Sequence, residues 1–130
     1  MIQLRRITQV NDPDLSRLMD LYILSFPEEE RRDEKQLFRM IETVPEMSFN
    51  AVEENGELCG LSVFWDLGEF YYMEHLAVFP EMRNRKIGQQ ILDYWKNHLS
   101  KLQILEAEPA VEESNDSTII THIKNIRAKF

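Results

Sequence analysis

The chain of 130 residues is 43% hydrophobic and 29% charged, which fits one domain with one real core and excludes a disordered or low-complexity polymer. Fifteen Lys and Arg against twenty-three Asp and Glu leave a formal net charge of -8, the wrong sign for a bulk nucleic-acid binder, whose phosphate contacts need cations. No apolar run approaches the ~20 residues of a membrane span, Met1 to Arg6 holds no long apolar stretch of the kind a signal peptide needs, and Cys59 stands alone, which excludes an intrachain disulfide and a Cys-based metal site.

Ile2 to Ile7 is the first predicted strand. Asp12-Pro13 then marks a helix start, because Asp accepts free amides and Pro suits the first helical position. Leu15, Leu18, Met19 and Tyr22 follow at helical spacing, and Phe26-Pro27 ends the helix. The run Glu28-Glu29-Glu30-Arg31-Arg32 reads as a solvated loop or helix end. Asp33 opens a second helix through about Thr43, with Leu37, Met40 and Ile41 inward, and Pro45 closes it. The period then changes to that of strands. Phe49 to Glu53 and Leu58 to Trp65 flank Asn55-Gly56, a strong hairpin signal. Asp66 to Glu69 turns the chain again, and Phe70 to Val78 is a third strand of this meander. A helix from about Arg85 to Ser100 follows, with Ile87, Ile91, Leu92, Trp95 and Leu99 as its apolar stripe. Leu102 to Glu108 reads as a strand, and from Ser114 the chain reads as helix. The whole of 1–130 is thus one α/β domain with a largely antiparallel sheet flanked by helices.

The segment that carries chemistry runs from Leu76 to Gly88. A strand ends, a short loop turns, and a helix opens at Arg83-Asn84-Arg85-Lys86, a local cationic cluster in an acidic chain. Helix N-termini present free amides and a positive dipole end to anions. A glycine at position 88 lets a ligand approach the backbone. These residues suit a pyrophosphate cradle. The alternative is an ordinary helix start with basic residues on its surface.

Here the sequence resembles the GNAT N-acetyltransferase superfamily. That family carries Gln/Arg-x-x-Gly-x-Gly/Ala after a strand that often reads Leu-x-Val, commonly with Pro-Glu between. This chain has Leu76-Ala77-Val78, Pro80-Glu81 and Arg83-Asn84-Arg85-Lys86-Ile87-Gly88. The resemblance implies a GNAT-like mixed sheet and an acetyl-CoA site. The backbone of Leu76, Ala77 and Val78 would pair with the pantetheine arm. Amides from Arg83 through Asn84, Arg85, Lys86, Ile87 and Gly88 to Gln89 would wrap the pyrophosphate. It implies acetyl transfer to an amine acceptor, with cytoplasmic residence in keeping with the lone cysteine.

Two departures stand out. Lys86 occupies the first motif glycine, where a side chain would obstruct the loop or reach a phosphate. Relatives also continue into a Tyr-bearing helix and two further strands. Here no Tyr follows Tyr94, and Ile126 falls about where that Tyr would be. The resemblance therefore implies a domain lacking the last two strands, with an open edge at Leu102 to Glu108 that invites a homodimer. The alternative function is a non-catalytic acyl-CoA-binding or interaction domain.

Glu74 interrupts an otherwise apolar strand, and a carboxyl beside a sheet suits a general base. The resemblance favours that role, because the family often places its base on this strand. The competing reading is a strand-edge Glu in solvent. Strict alternation would send Glu74 and His75 to opposite faces. His75 reads as a satisfied sheet histidine, and His98 and His122 as structural or surface residues. Three scattered histidines hold no zinc spacing. Trp65, Tyr71, Tyr72 and Trp95 read as core or cleft wall, and Cys59 as a buried small hydrophobe.

Overall fold

The computed structural model describes residues 2–99 and 102–105. Strand β1 (Ile2–Arg6) leads to helices α1 (Leu15–Ser25) and α2 (Glu34–Thr43), with a single 3-10 turn at Glu28–Glu30 between them. The meander β2 (Met47–Glu54), β3 (Glu57–Asp66) and β4 (Phe70–Val78) follows, then α3 (Ile87–His98) and β5 (Leu102–Leu105). Residues 106–108 of the expected last strand, the helix expected from Ser114, Ile126 and His122 lie outside the described residues.

The sheet order is β1-β2-β3-β4-β5. The first three pairings are antiparallel, and β4 pairs with β5 in parallel. Asn55 and Gly56 both take positive φ, at 53° and 83°, so the hairpin turn is the primed kind that Asn-Gly favours. α2 starts where Asp33 predicted, its carboxylate accepting from Gln36 N at 3.3 Å. α1 starts at Leu15, later than Asp12-Pro13 suggested. Asp12 is engaged elsewhere: it accepts from Asp14 N at 3.0 Å and binds the Arg5 guanidinium at 2.7 Å.

The core lies on both faces of the sheet. Tyr22 of α1 packs against His75 of β4 on one face. Trp95 of α3 donates to Ser62 Oγ at 3.2 Å on the other, where Asn50 also donates to Ser62 O and to Ser48 O. These hydrogen bonds satisfy polar groups inside a covered sheet, where an unmade bond would cost about 1–3 kcal/mol. Leu15, Leu18, Leu37, Phe49, Leu61, Val63 and Ile91 are fully buried between the layers.

Two features of β4 shape the site. Gly60 of β3 stands opposite Val78. A Cβ there would collide with the Ala77 carbonyl oxygen and sit 3.1 Å from Val78 Cα. Only glycine lets the two strands approach this closely. Farther along, the register jumps: Val63 pairs with His75, while the next residue, Phe64, pairs with Met73. Glu74 is therefore the extra residue of a β-bulge.

Candidate functional site

The bulge overturns the expected alternation. An extra residue re-aims its neighbours, so Glu74 and His75 no longer part to opposite faces. His75 Nε2 lies 3.5 Å from Glu74 Oε1. His75 is buried between Tyr22 and Phe26, with ring centroids at 5.1 and 4.4 Å.

Glu74 is neither solvent-exposed nor bare. Arg32 Nη2 donates to its Oε2 at 2.8 Å, and Arg32 Nε to its Oε1 at 3.4 Å. Only 10% of the Glu74 side chain and 19% of the Arg32 side chain remain accessible. The Arg32 guanidinium also lies 5.3 Å from the Trp65 ring centroid. Its backbone N–H donates to the Tyr22 hydroxyl at 2.8 Å. Burial pushes the Tyr22 hydroxyl pKa up, so the phenol stays protonated. The expected solvated charge run thus sends Arg32 inward to a carboxylate that the bulge supplies as its partner.

Next to this cluster, the pairing of β4 with β5 covers Phe70 to Met73. From Glu74 to Val78 no further strand covers that edge among the described residues. Leu76, Ala77 and Val78 thus lie where strand-like backbone groups face outward.

The chain then turns through Pro80–Met82 into α3. Asn84 and Lys86 take positive φ, at 68° and 58°, with Arg85 between them not left-handed. Such alternation makes a concave nest of backbone N–H groups suited to anions. Lys86 is the N-cap, so α3 begins two residues after the predicted Arg85. The left-handed turn has formed with the lysine side chain in place. Gln90 N bonds to Lys86 O at 3.0 Å, and no side chain caps the helix. The N–H groups of Ile87, Gly88 and Gln89 consequently have no intrahelical acceptor. A cavity of about 390 Å³ lies here, lined by Val78, Met82, Arg83, Asn84, Lys86, Ile87 and Gly88. A Cβ on Gly88 would meet open space, so the chain's own packing does not demand glycine there.

This geometry fits the phosphates of a coenzyme: orphan amides, a positive helix end and the exposed Arg83 and Lys86 converge on one cavity, with Arg85 exposed next to it in the chain. Arg85 is held only loosely, 4.0 Å from Glu57. Gln89 turns away, donating to Asp93 at 3.0 Å, which leaves its backbone amide as its contribution.

The remaining candidates are structural. His98 Nδ1 donates to Tyr94 O at 3.0 Å, and its ring stacks on Tyr94 at 3.9 Å. Cys59 is buried, and desolvation pushes its thiol pKa up, which makes it inert. Trp65, Tyr72 and Trp95 are buried in the core, as expected. Arg32 and Tyr22 are the residues that reasoning from sequence missed. Nothing local separates Arg32 from Arg31, and its partner lies 42 residues away.

Residues 15–122 match the family model described as acetyltransferase (GNAT) family. No curated protein matches the chain. Among solved structures, a chain described as an acetyltransferase of the GNAT family from Bacteroides thetaiotaomicron is 28% identical, with a TM-score of 0.78 over 95% of this chain and 70% of that one. An aminoglycoside acetyltransferase from an uncultured soil metagenomic sample is 13% identical, with a TM-score of 0.60 over 92% and 86%. The PaiA N-acetyltransferase from Thermoplasma acidophilum, in complex with coenzyme A, is 18% identical, with a TM-score of 0.53 over 75% and 70%. The last two likenesses bear on the fold alone.

Proposed function

The chain belongs to the acetyltransferase (GNAT) family, its model matching residues 15–122, and we propose that it transfers an acetyl group from acetyl-CoA to an amine. The observation that carries this reading is the uncapped N-terminus of α3, opening with its left-handed Asn84 and Lys86 onto a cavity beside the end of β4. Amides of Ile87, Gly88 and Gln89, with the cations of Arg83, Arg85 and Lys86, would hold the pyrophosphate. The outward backbone of Leu76, Ala77 and Val78 would take the pantetheine arm as a strand takes its neighbour.

Acetyl-CoA supplies an activated acyl group as a thioester. The neutral amine attacks the carbonyl carbon, and a backbone amide near Val78 would stabilise the charge that develops on the oxygen. Glu74 takes the proton from the attacking nitrogen, directly or through water; the tetrahedral intermediate then collapses with cleavage of the C–S bond, and the CoA thiolate leaves, taking a proton from solvent. Arg32 and the bulge fix its carboxylate on the side of the sheet that α1 covers. One observation favours a second reading: Arg32 already occupies Glu74, as it would in an acyl-CoA-binding domain where this pair only clamps the fold. The homodimer expected from the edge of β5 rests on a segment that extends outside the described residues.

The test is release of the CoA thiol from acetyl-CoA in the presence of a panel of amines. Glu74→Gln should keep CoA binding and lower turnover by about 10²–10⁴-fold. Unchanged turnover in that variant removes the base assignment. Release that no amine stimulates favours the binding domain.

A further inference from the structure

A second cavity, of about 350 Å³, lies between α1 and the start of α2. Its volume is that of a small-molecule site. Met19 and Ile23 give it an apolar wall, and Tyr22, Arg31 and Arg32 give it a cationic, hydrogen-bonding one. Glu28, Asp33 and Glu34 also line it, all three exposed. Arg32 belongs to this lining and to the Glu74 ion pair, so one residue links the cavity to the proposed base.

The two arginines differ in what they have to bind. Arg32 already gives its Nε and Nη2 to Glu74. Arg31 Nε is buried and has no hydrogen-bond partner among the described residues. The nearby carboxylates do not supply one, and Asp33 is turned to Gln36 N at 3.3 Å. The backbone that carries Arg31 is fixed on both sides. Its own N–H donates to Glu28 O at 3.2 Å, and the next N–H, that of Arg32, donates to the Tyr22 hydroxyl at 2.8 Å. A buried guanidinium N–H without a partner, on an arginine whose backbone is held on both sides, is a place for an acceptor that the chain itself lacks. A carboxylate matches its planar fork. The Tyr22 hydroxyl, which accepts from Arg32, keeps its own proton to donate.

We infer that this cavity takes the acetyl acceptor, and that the acceptor is a small amine bearing a carboxylate, held by Arg31 with its amine toward Glu74. The inference rests on the acetyltransferase reading for its chemistry, but binding can be read without turnover. The apolar wall of Met19 and Ile23 selects an apolar substituent on that amino acid. The competing class is a polycation drawn by the exposed carboxylates.

The experiment is calorimetric titration of the full chain, with and without CoA. Each amino acid is paired with its decarboxylated amine: L-leucine with isopentylamine, and L-phenylalanine with phenethylamine. Spermidine is the polycation probe. The amino acid should bind at least about tenfold more tightly than its amine, the worth of one charged hydrogen-bond pair. Arg31→Gln should abolish that ratio and leave the affinity for the amines unchanged. Arg31→Lys should restore part of it, keeping the charge without the fork. Equal binding of the paired probes, tighter binding of spermidine, an equal loss on both probes in Arg31→Gln, or no binding of any probe would overturn the inference. A tenfold ratio without thiol release would uphold the site and reject the acetyl transfer.

Discussion

The ion pair between Arg32 and Glu74 is the most buried arginine–carboxylate pair among the described residues, and a double-mutant cycle measures its strength. Arg32→Met and Glu74→Gln each remove one partner, and the double variant removes both. Their side chains are 19% and 10% exposed, so salt screens them little. Unit charges about 4 Å apart attract by roughly 4 kcal/mol at an effective dielectric of about 20. Desolvation offsets part of that attraction. Removing one member leaves the other buried without its counter-charge, which costs about 3 kcal/mol. The double variant strands neither charge, so its loss should fall short of the summed single losses by about 2 kcal/mol. In urea, with a slope of about 2 kcal/mol/M, each single variant should lower the unfolding midpoint by about 1.5 M. Single losses that add within about 0.5 kcal/mol would show that the two groups are not coupled. That result would refute both the buried pair and the fixed orientation of Glu74.

Other predictions concern separate parts of the chain. Gly60→Ala places a Cβ against the Ala77 carbonyl, so urea unfolding should show a loss of about 1–3 kcal/mol, with weaker CoA binding as β4 shifts; wild-type values for both would show that the strands have room. Lys86→Gly relieves a left-handed side chain at φ 58°, and should raise stability by about 0.5 kcal/mol after the entropy of the unfolded glycine is counted, whereas Lys86→Ala should not; equal effects of the two would argue against the left-handed turn. Asp12 is held below the usual carboxylate range, first by its hydrogen bond from Arg5. Its lowered pKa contributes stability that is present above about pH 4 and lost as pH falls through the folded value. Asp12→Asn should flatten the acid limb of the stability profile, and an unchanged limb would reject the linkage.

Strand β4 was legible to the residue, because Phe70 to Val78 is bounded by a Gly-containing turn and by Pro80. The Asn55-Gly56 turn was legible for the same reason: its dipeptide meets a steric demand that few others meet. The cationic loop between a strand end and a helix start could be located from its charge and position. Its exact shape could not, since lysine rarely adopts the left-handed conformation seen at Lys86. The bulge at Glu74 carries no local mark, for it depends on how two strands align over their whole length. Arg32 was hidden within a charge run, where two adjacent arginines differ only in what the folded sheet brings to them.

The proposed coenzyme site joins the end of β4 to the N-terminus of α3. Amide chemical shifts recorded during titration with CoA test it residue by residue. Binding there should give saturable shifts at Leu76, Ala77 and Val78 and from Arg83 to Gln89, with Leu67 and Gly68, in the turn at the opposite end of β4 from Val78, unmoved. Saturation that leaves 83–89 unmoved, or no shift at millimolar CoA, would contradict it.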